Sequence, residues 1–255
     1  WTLAPSVSKE ILRGIWGSSE NDVWVVGDNG AMLHWDGVEW RSYSEGVSNA
    51  WTAMWGSGPD DVWVGGLKGT LAHWDGVKFV SSAALGGTSS DIAAMHGSAS
   101  NTIYLVGTKG LIAYYGGQNW AQQVAPATTP VISGLESVWC NGVNDVWAGG
   151  TKGAMGVLAR KTGATWTEQT MASPLADSSI GAIFGSSSTD VAISNRNGYV
   201  STWGGTGLST SVQIPVGAGQ SINAIWVDSS GEGFAAGGSG GIWRRPTRSG
   251  AWSLI

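Results

Sequence analysis

The residues of this sequence that could do chemistry are one cysteine, three histidines, a repeated set of aspartates, three regularly spaced lysines and a row of tryptophans. Cys140 would act as a nucleophile only with a base and an electropositive setting to hold its thiolate. The surrounding Val138-Trp139-Cys140-Asn141 supplies neither. As the single cysteine it forms no intramolecular disulfide, and a small buried side chain is the plainer use. His34, His73 and His96 stand at no metal-ligand spacing from one another, so core or edge positions are expected. Asp22, Asp61, Asp145 and Asp190, with Asp36 and Asp75, recur beside turns. Calcium requires roughly six to eight converging oxygens, and each repeat offers too few. Fixing turns by accepting backbone N–H bonds accounts for all of these aspartates, so no metal and no cofactor is expected. Lys68, Lys109 and Lys152 could form an arc that attracts anions, or they could be solvated turn charges. The Arg244-Arg245-Pro246-Thr247-Arg248 stretch reads as a solvated rim. No phosphate-binding loop and no paired catalytic carboxylates are present.

These residues sit inside a repeat. Its anchors are Ile15-Trp16-Gly17, Met54-Trp55-Gly56, Met95-His96-Gly97, Val138-Trp139-Cys140, Ile183-Phe184-Gly185 and Ile225-Trp226-Val227, spaced by 39, 41, 43, 45 and 42 residues. Eight residues after each anchor aromatic come Trp24, Trp63, Tyr104, Trp147, Ala192 and Phe234. Gly-bearing turns follow, as in Asp28-Asn29-Gly30 and Leu67-Lys68-Gly69. A third strand then closes on Asp36-Gly37, Asp75-Gly76 or an equivalent, and a fourth starts at Trp40, Phe79, Trp120, Trp166 or Trp252. Segments such as Asp22-Val23-Trp24-Val25-Val26 are short, β-branched and aromatic, which favours strands. Four short strands at a period near forty residues specify a propeller blade. The fold class is therefore all-β, a β-propeller of four-stranded antiparallel blades, with six blades expected and seven the alternative. One domain over 1–255 is expected. Trp1-Thr2-Leu3 has the phase of an additional outer strand, which would clasp the last blade, stay peripheral, or belong to a longer repeat array.

Sorting by repeat position assigns fifteen of the seventeen tryptophans to blade packing and leaves Trp51 and Trp243. Trp51 aligns with Leu12, Ile92, Leu135, Ile180 and Ile222, which favours the core. Alternatively its ring, together with His96, stands beside the central channel and stacks on a ligand. The lysine hairpins share one end of the blades with the least regular connections, around Ser44–Ala50, Leu85–Ser90, Pro126–Gly134 and Met171–Ser179. Variable loops on a rigid frame are where recognition is expected.

Charged residues make up 12%, Gly numbers 41, and the net charge is −5 with a pI near 5.1. Such a surface has no general attraction for nucleic acid. No apolar run is long enough to span a membrane, and none reads as a signal sequence. The sparse charge and abundant Ser and Thr suit an exported protein.

The phrase Ile15-Trp16-Gly17-Ser18-Ser19-Glu20-Asn21-Asp22-Val23-Trp24-Val25-Val26-Gly27, continued by Leu33-His34-Trp35-Asp36-Gly37-Val38-Glu39-Trp40, resembles the repeats of secreted bacterial Trp-Asp-Gly propellers of the myxobacterial type. It is distantly similar to Asp-box sialidase repeats and to photosystem assembly-factor propellers. The spacing departs from a true Asp box, and the arginine cluster and tyrosine nucleophile of sialidases have no counterpart, so glycosidase activity is not implied. The resemblance implies a propeller at a bacterial cell surface or outside the cell. The expected function is non-enzymatic extracellular recognition of a glycan or other cell-surface ligand through blade loops; the alternatives are, in order, a protein–protein interaction scaffold and an enzyme or accessory factor with one site at the central channel.

Overall fold

The computed structural model describes residues 7–43, 49–82, 85, 87–215, 221–247 and 250–255. Blade one consists of Leu12–Ser19, Asp22–Gly27, Met32–Trp35 and Trp40–Ser42 (β1 to β4), and blade two of Trp51–Gly58, Asp61–Gly66, Leu71–Trp74 and Phe79–Ser82 (β5 to β8). Blade three is Ile92–Ala99, Thr102–Gly107, Ile112–Tyr115 and Trp120–Gln122 (β9 to β12), and blade four Ile132–Cys140, Asp145–Lys152, Met155–Thr162 and Thr165–Glu168 (β13 to β16). Blade five is Ile180–Ser187, Asp190–Asn195, Tyr199–Trp203 and Val212–Gln213 (β17 to β20), and blade six Ile222–Val227, Gly233–Gly237, Ile242–Arg245 and Ser253–Leu254 (β21 to β24). Strands follow one another across each four-stranded sheet in sequence order. The fold is a six-bladed β-propeller. Among the described residues there is no α-helix, only 3-10 turns. The additional outer strand expected at Trp1-Thr2-Leu3 lies outside the described residues, as do Arg248, most of Ser44–Ala50 and Gly86 of the Leu85–Ser90 connection.

The second strands of blades two to five are covered on both faces, which is why they read as continuous apolar runs rather than alternations. Val62, Val64, Ile103, Leu105, Val146, Val191 and Ile193 are all fully buried. The turns that close these strands follow the sequence: Asn29, Lys68 and Lys109 take left-handed φ of 53°, 54° and 58°. Lys152 differs from the other two lysines. Strand β14 runs through Lys152, which pairs with Met155, and the left-handed residue is Gly153.

Contacts divide the chain into two compact units, Trp1–Leu105 with Tyr114–Gln122, and Val106–Ala113 with Gln123–Ile255. In the first, β1 packs on β5 and β5 on β9, around Trp24, Val26, Met32, Trp51, Met54 and Val64. In the second, β13 packs on β17 and β17 on β21. Its cores include Trp147, Leu158 and Ile180 in one cluster and Ile222, Trp243 and Trp252 in another. Trp243, which no repeat position had claimed, is 1% exposed on β23.

A register shift between Leu12 and Gly14 breaks the alternation of β1, and the equivalent shift recurs in β5, β13, β17 and β21. Such bulges re-aim the side chains that follow them. Thus Gly14 abuts Met54 and Trp16 lies against Gly56 of the following blade.

Candidate functional site

Four of the six blades carry a carboxylate paired with a base across the hairpin between second and third strands. His34 Nε2 donates to Asp22 Oδ1 at 2.6 Å, Ser18 Oγ donates to Asp22 Oδ2, and the imidazole stacks on Trp24 at 4.1 Å. Blade two repeats this with Ser57, Asp61, His73 and Trp63, its rings 4.4 Å apart. In blade four the base is Arg160, which donates to Asp145 at 3.0 Å and lies over the rings of Trp147 and Trp203 at 4.7 and 4.8 Å. In blade six Arg244 donates to Glu232 at 2.7 Å. Blade three has Thr102 and Tyr114 at the two positions, so the carboxylate and the base are absent together. The chemical order is serine to aspartate to histidine. A serine nucleophile needs the histidine next to its hydroxyl, and here the aspartate holds both, so the arrangement braces the hairpin. Asp22, Asp61 and Asp145 therefore depart from expectation, because they take side-chain donors where backbone N–H groups were expected; in blade five Ser186 Oγ donates to Asp190 at 2.6 Å.

The turn role does hold for Asp36 and Asp75. Asp36 Oδ1 accepts from the N–H groups of Val38 and Glu39 at 3.0 and 2.9 Å, and Asp75 Oδ1 from Val77 and Lys78 at the same distances. These backbone donors hold both carboxyls below the usual carboxylate range. Cys140 is buried and donates to Gly142 O. Nearby Lys161 is 4% exposed and donates to Val143 O at 2.7 Å and to Gly163 O. Burial lowers the pKa of Lys161. No cluster of three metal-ligating side chains occurs among the described residues.

Trp51 is 3% exposed, inside the core of the first unit. With Met32, Tyr43 and Phe79 it lines a cavity of about 110 Å³, smaller than the roughly 300 Å³ at which ligand pockets begin. His96 is half-buried, 6.4 Å from the Trp55 ring, at the anchor aromatic position. The Lys68 backbone N–H bonds Asp91 Oδ1 and the Lys109 N–H bonds Ser133 O, so these hairpins are tied to the next connection. Lys152 Nζ pairs with Glu168 at 2.5 Å.

Lys152 also walls a groove of about 370 Å³ with Met155, Glu168, Gln169, Thr170 and Met171. A second groove of about 410 Å³ shares Thr170 and runs over Pro174, Leu175 and Leu208 to Ser201, Ser209 and Thr210. A third, of about 750 Å³, shares Ser209 and Thr210 and reaches Val212, Arg245 and Trp252. All three lie within the second unit and adjoin one another through shared residues. The connection that separates blades four and five, within which Met171–Ser179 was the expected recognition loop, forms much of this wall. It is pinned from beneath by Asn195, whose Nδ2 donates to Pro174 O and Leu175 O at 2.9 and 3.0 Å while its Oδ1 accepts from Asn197 and Tyr199. Leu175, 1% exposed, is its apolar anchor. Asn195 stands where blades one, two and six have Gly27, Gly66 and Gly237. That substitution was the available sequence signal for a built loop. The stretch between the second and third grooves is held by Ser201 Oγ, which donates to Ser209 O at 2.7 Å.

No protein-family model matches the sequence, and no curated protein is significantly similar to it. Solved structures are similar in fold. YCF48 from Cyanidioschyzon merolae is 18% identical with a TM-score of 0.75, over 98% of this chain and 86% of that one. YCF48 bound to D1 peptide is 11% identical with a TM-score of 0.73, over 97% and 83%. A catalytically inactive virginiamycin B lyase from Staphylococcus aureus, solved with quinupristin, is 14% identical with a TM-score of 0.83, over 99% and 86%. The likeness is one of fold. It includes a propeller with a bound peptide and a propeller that is a lyase, so fold does not choose between binding and catalysis.

Proposed function

We propose that this protein is a non-enzymatic recognition module that holds an extended segment of a partner protein along blades four to six. The observation that carries this reading is the run of three grooves joined through Thr170, Ser209 and Thr210. A long, shallow trough suits an extended chain better than a compact small molecule. Its walls alternate hydroxyls, which serve backbone N–H and C=O groups, with Met155, Met171, Leu208 and Val212. Methionines adapt to varied apolar side chains. Arg245 at one end and the Lys152–Glu168 pair at the other offer charged groups to flanking residues. The peptide-bound YCF48 structure supports the reading at the level of fold. The Ser-Asp-His order in blades one and two supports a non-catalytic role, and the charge-poor composition supports export.

A glycan is the second reading, favoured by the hydroxyls of Ser209 and Thr210 near the Trp252 ring in the largest groove. Selection of a displayed random peptide library on the folded protein, with calorimetry of the selected peptides, tests the first. Thr210→Trp and Met171→Glu should each weaken binding at least tenfold. Failure to select any saturable peptide, alongside a saturable hit on a glycan array, would replace peptide by sugar.

A further inference from the structure

At the end of the third strand, blades one, two and three carry an aromatic residue that packs on the fourth. Trp35 lies 5.8 Å from Trp40, Trp74 5.3 Å from Phe79 and Tyr115 5.4 Å from Trp120. Trp203 holds this position in blade five, opposite Val191 as Trp74 is opposite Val62. Blade four has Lys161 there, opposite Val146, with its ammonium donating to the carbonyls of Val143 and Gly163. Blade six has Arg245, opposite Gly233. The basic stretch 244–248 was expected to be a solvated rim, and Arg245 departs from that at 7% exposed. Its guanidinium lies 5.2 Å from the Trp252 ring, in place of the aromatic pair, and its Nε donates to Gly231 O at 3.2 Å. Gly233 makes room for this stack, since a Cβ there would stand 3.0 Å from the Trp252 indole. Burying a cation costs far more than burying an indole, so the exchange of aromatic for arginine is the kind of local departure that marks a functional position. The same Arg245 walls the largest of the three joined grooves, of about 750 Å³, beside Thr202, Ser209 and Thr210.

We propose that Arg245 receives an aspartate or glutamate side chain of the bound partner segment. This deepens the proposed function and rests on it, because the groove is one that the segment fills. A guanidinium presents N–H donors in a plane that matches a carboxylate. Stacking on Trp252 and the bond to Gly231 O already fix its orientation, so little freedom is lost on binding. Arg245 is the one cation among the described residues lining this groove, which balances a single negative charge rather than a phosphate dianion. Ser209 and Thr210 also line the neighbouring groove, so the segment runs from its acidic residue at Arg245 toward Leu208 and Leu175.

Peptides selected on the folded chain and synthesised with amidated C-termini should share an aspartate or glutamate at one fixed position. Replacing that acid by its amide should weaken calorimetric binding to wild type by roughly tenfold or more, and should make no difference to the affinity for Arg245→Met. Circular dichroism checks that the variant folds. If Arg245→Met does not, Arg245→Trp, which restores the aromatic of blades one and two, takes its place in the same comparison. Selected peptides without a fixed acid overturn the carboxylate site and leave the peptide reading standing. So does an acid whose amide weakens binding equally to wild type and variant. Failure to select any saturable peptide overturns both.

Discussion

The indole of Trp16 lies against Gly56 so closely that a Cβ at Gly56 would stand 2.8 Å from the ring and 2.8 Å from Asp61 O. The same contact recurs between Trp55 and Gly97 at 2.7 Å and between Trp139 and Gly185 at 2.6 Å. The large residue of one repeat and the small residue of the next are thus one feature, so a pattern legible along the chain is also the key that joins neighbouring blades.

Gly56→Ala should therefore overpack the first unit and cost about 1–3 kcal/mol. Gly58→Ala, where an added methyl meets nothing within 4 Å, should stay within about 0.5 kcal/mol of wild type. Urea unfolding of both decides this, and equal midpoints would refute the contact as a stability determinant.

The Asp61–His73 pair should show coupling in a double-mutant cycle. Asp61→Ala and His73→Ala each leave a partly buried partner unmatched and should cost about 1–3 kcal/mol. The double variant should cost less than the sum by about 0.5 kcal/mol or more. Strict additivity would mean that the pair does not brace the hairpin.

Asp75 sets a pH dependence. Its backbone donors depress its pKa in the folded state, so its contribution is fully present above the unfolded carboxyl pKa. That contribution is lost as pH falls through the folded value. The gap in melting temperature between wild type and Asp75→Ala should be widest near neutrality and close in acid. A gap independent of pH would place the effect elsewhere.

Trp51→Ala should cost about 3–5 kcal/mol, as expected for removing a buried indole, and resemble Trp63→Ala. Peptide binding by the folded fraction should be unchanged. Retained stability with lost binding would instead make Trp51 a ligand contact.

The blade plan was legible because a period near forty residues, β-branched strands and Gly turns are local properties, each readable within a few positions. The hairpin lysines were legible as turn residues for Lys68 and Lys109. Lys152 was misplaced because β14 extends to include it, a difference of strand length that Thr-Lys-Gly conceals. The Asp22–His34 and Asp145–Arg160 braces were not anticipated, since their members lie 12 and 15 residues apart and meet only across paired strands.

By itself, then, the sequence determined the strand content, the blade repeat and the packing role of most tryptophans, because side-chain size and turn chemistry act locally. Only the tertiary structure decided that the Asp22–His34 and Asp145–Arg160 braces form and that three grooves join along blades four to six. Identical local patterns have different surroundings once folded, and burial depends on what packs against a face, which no single repeat encodes.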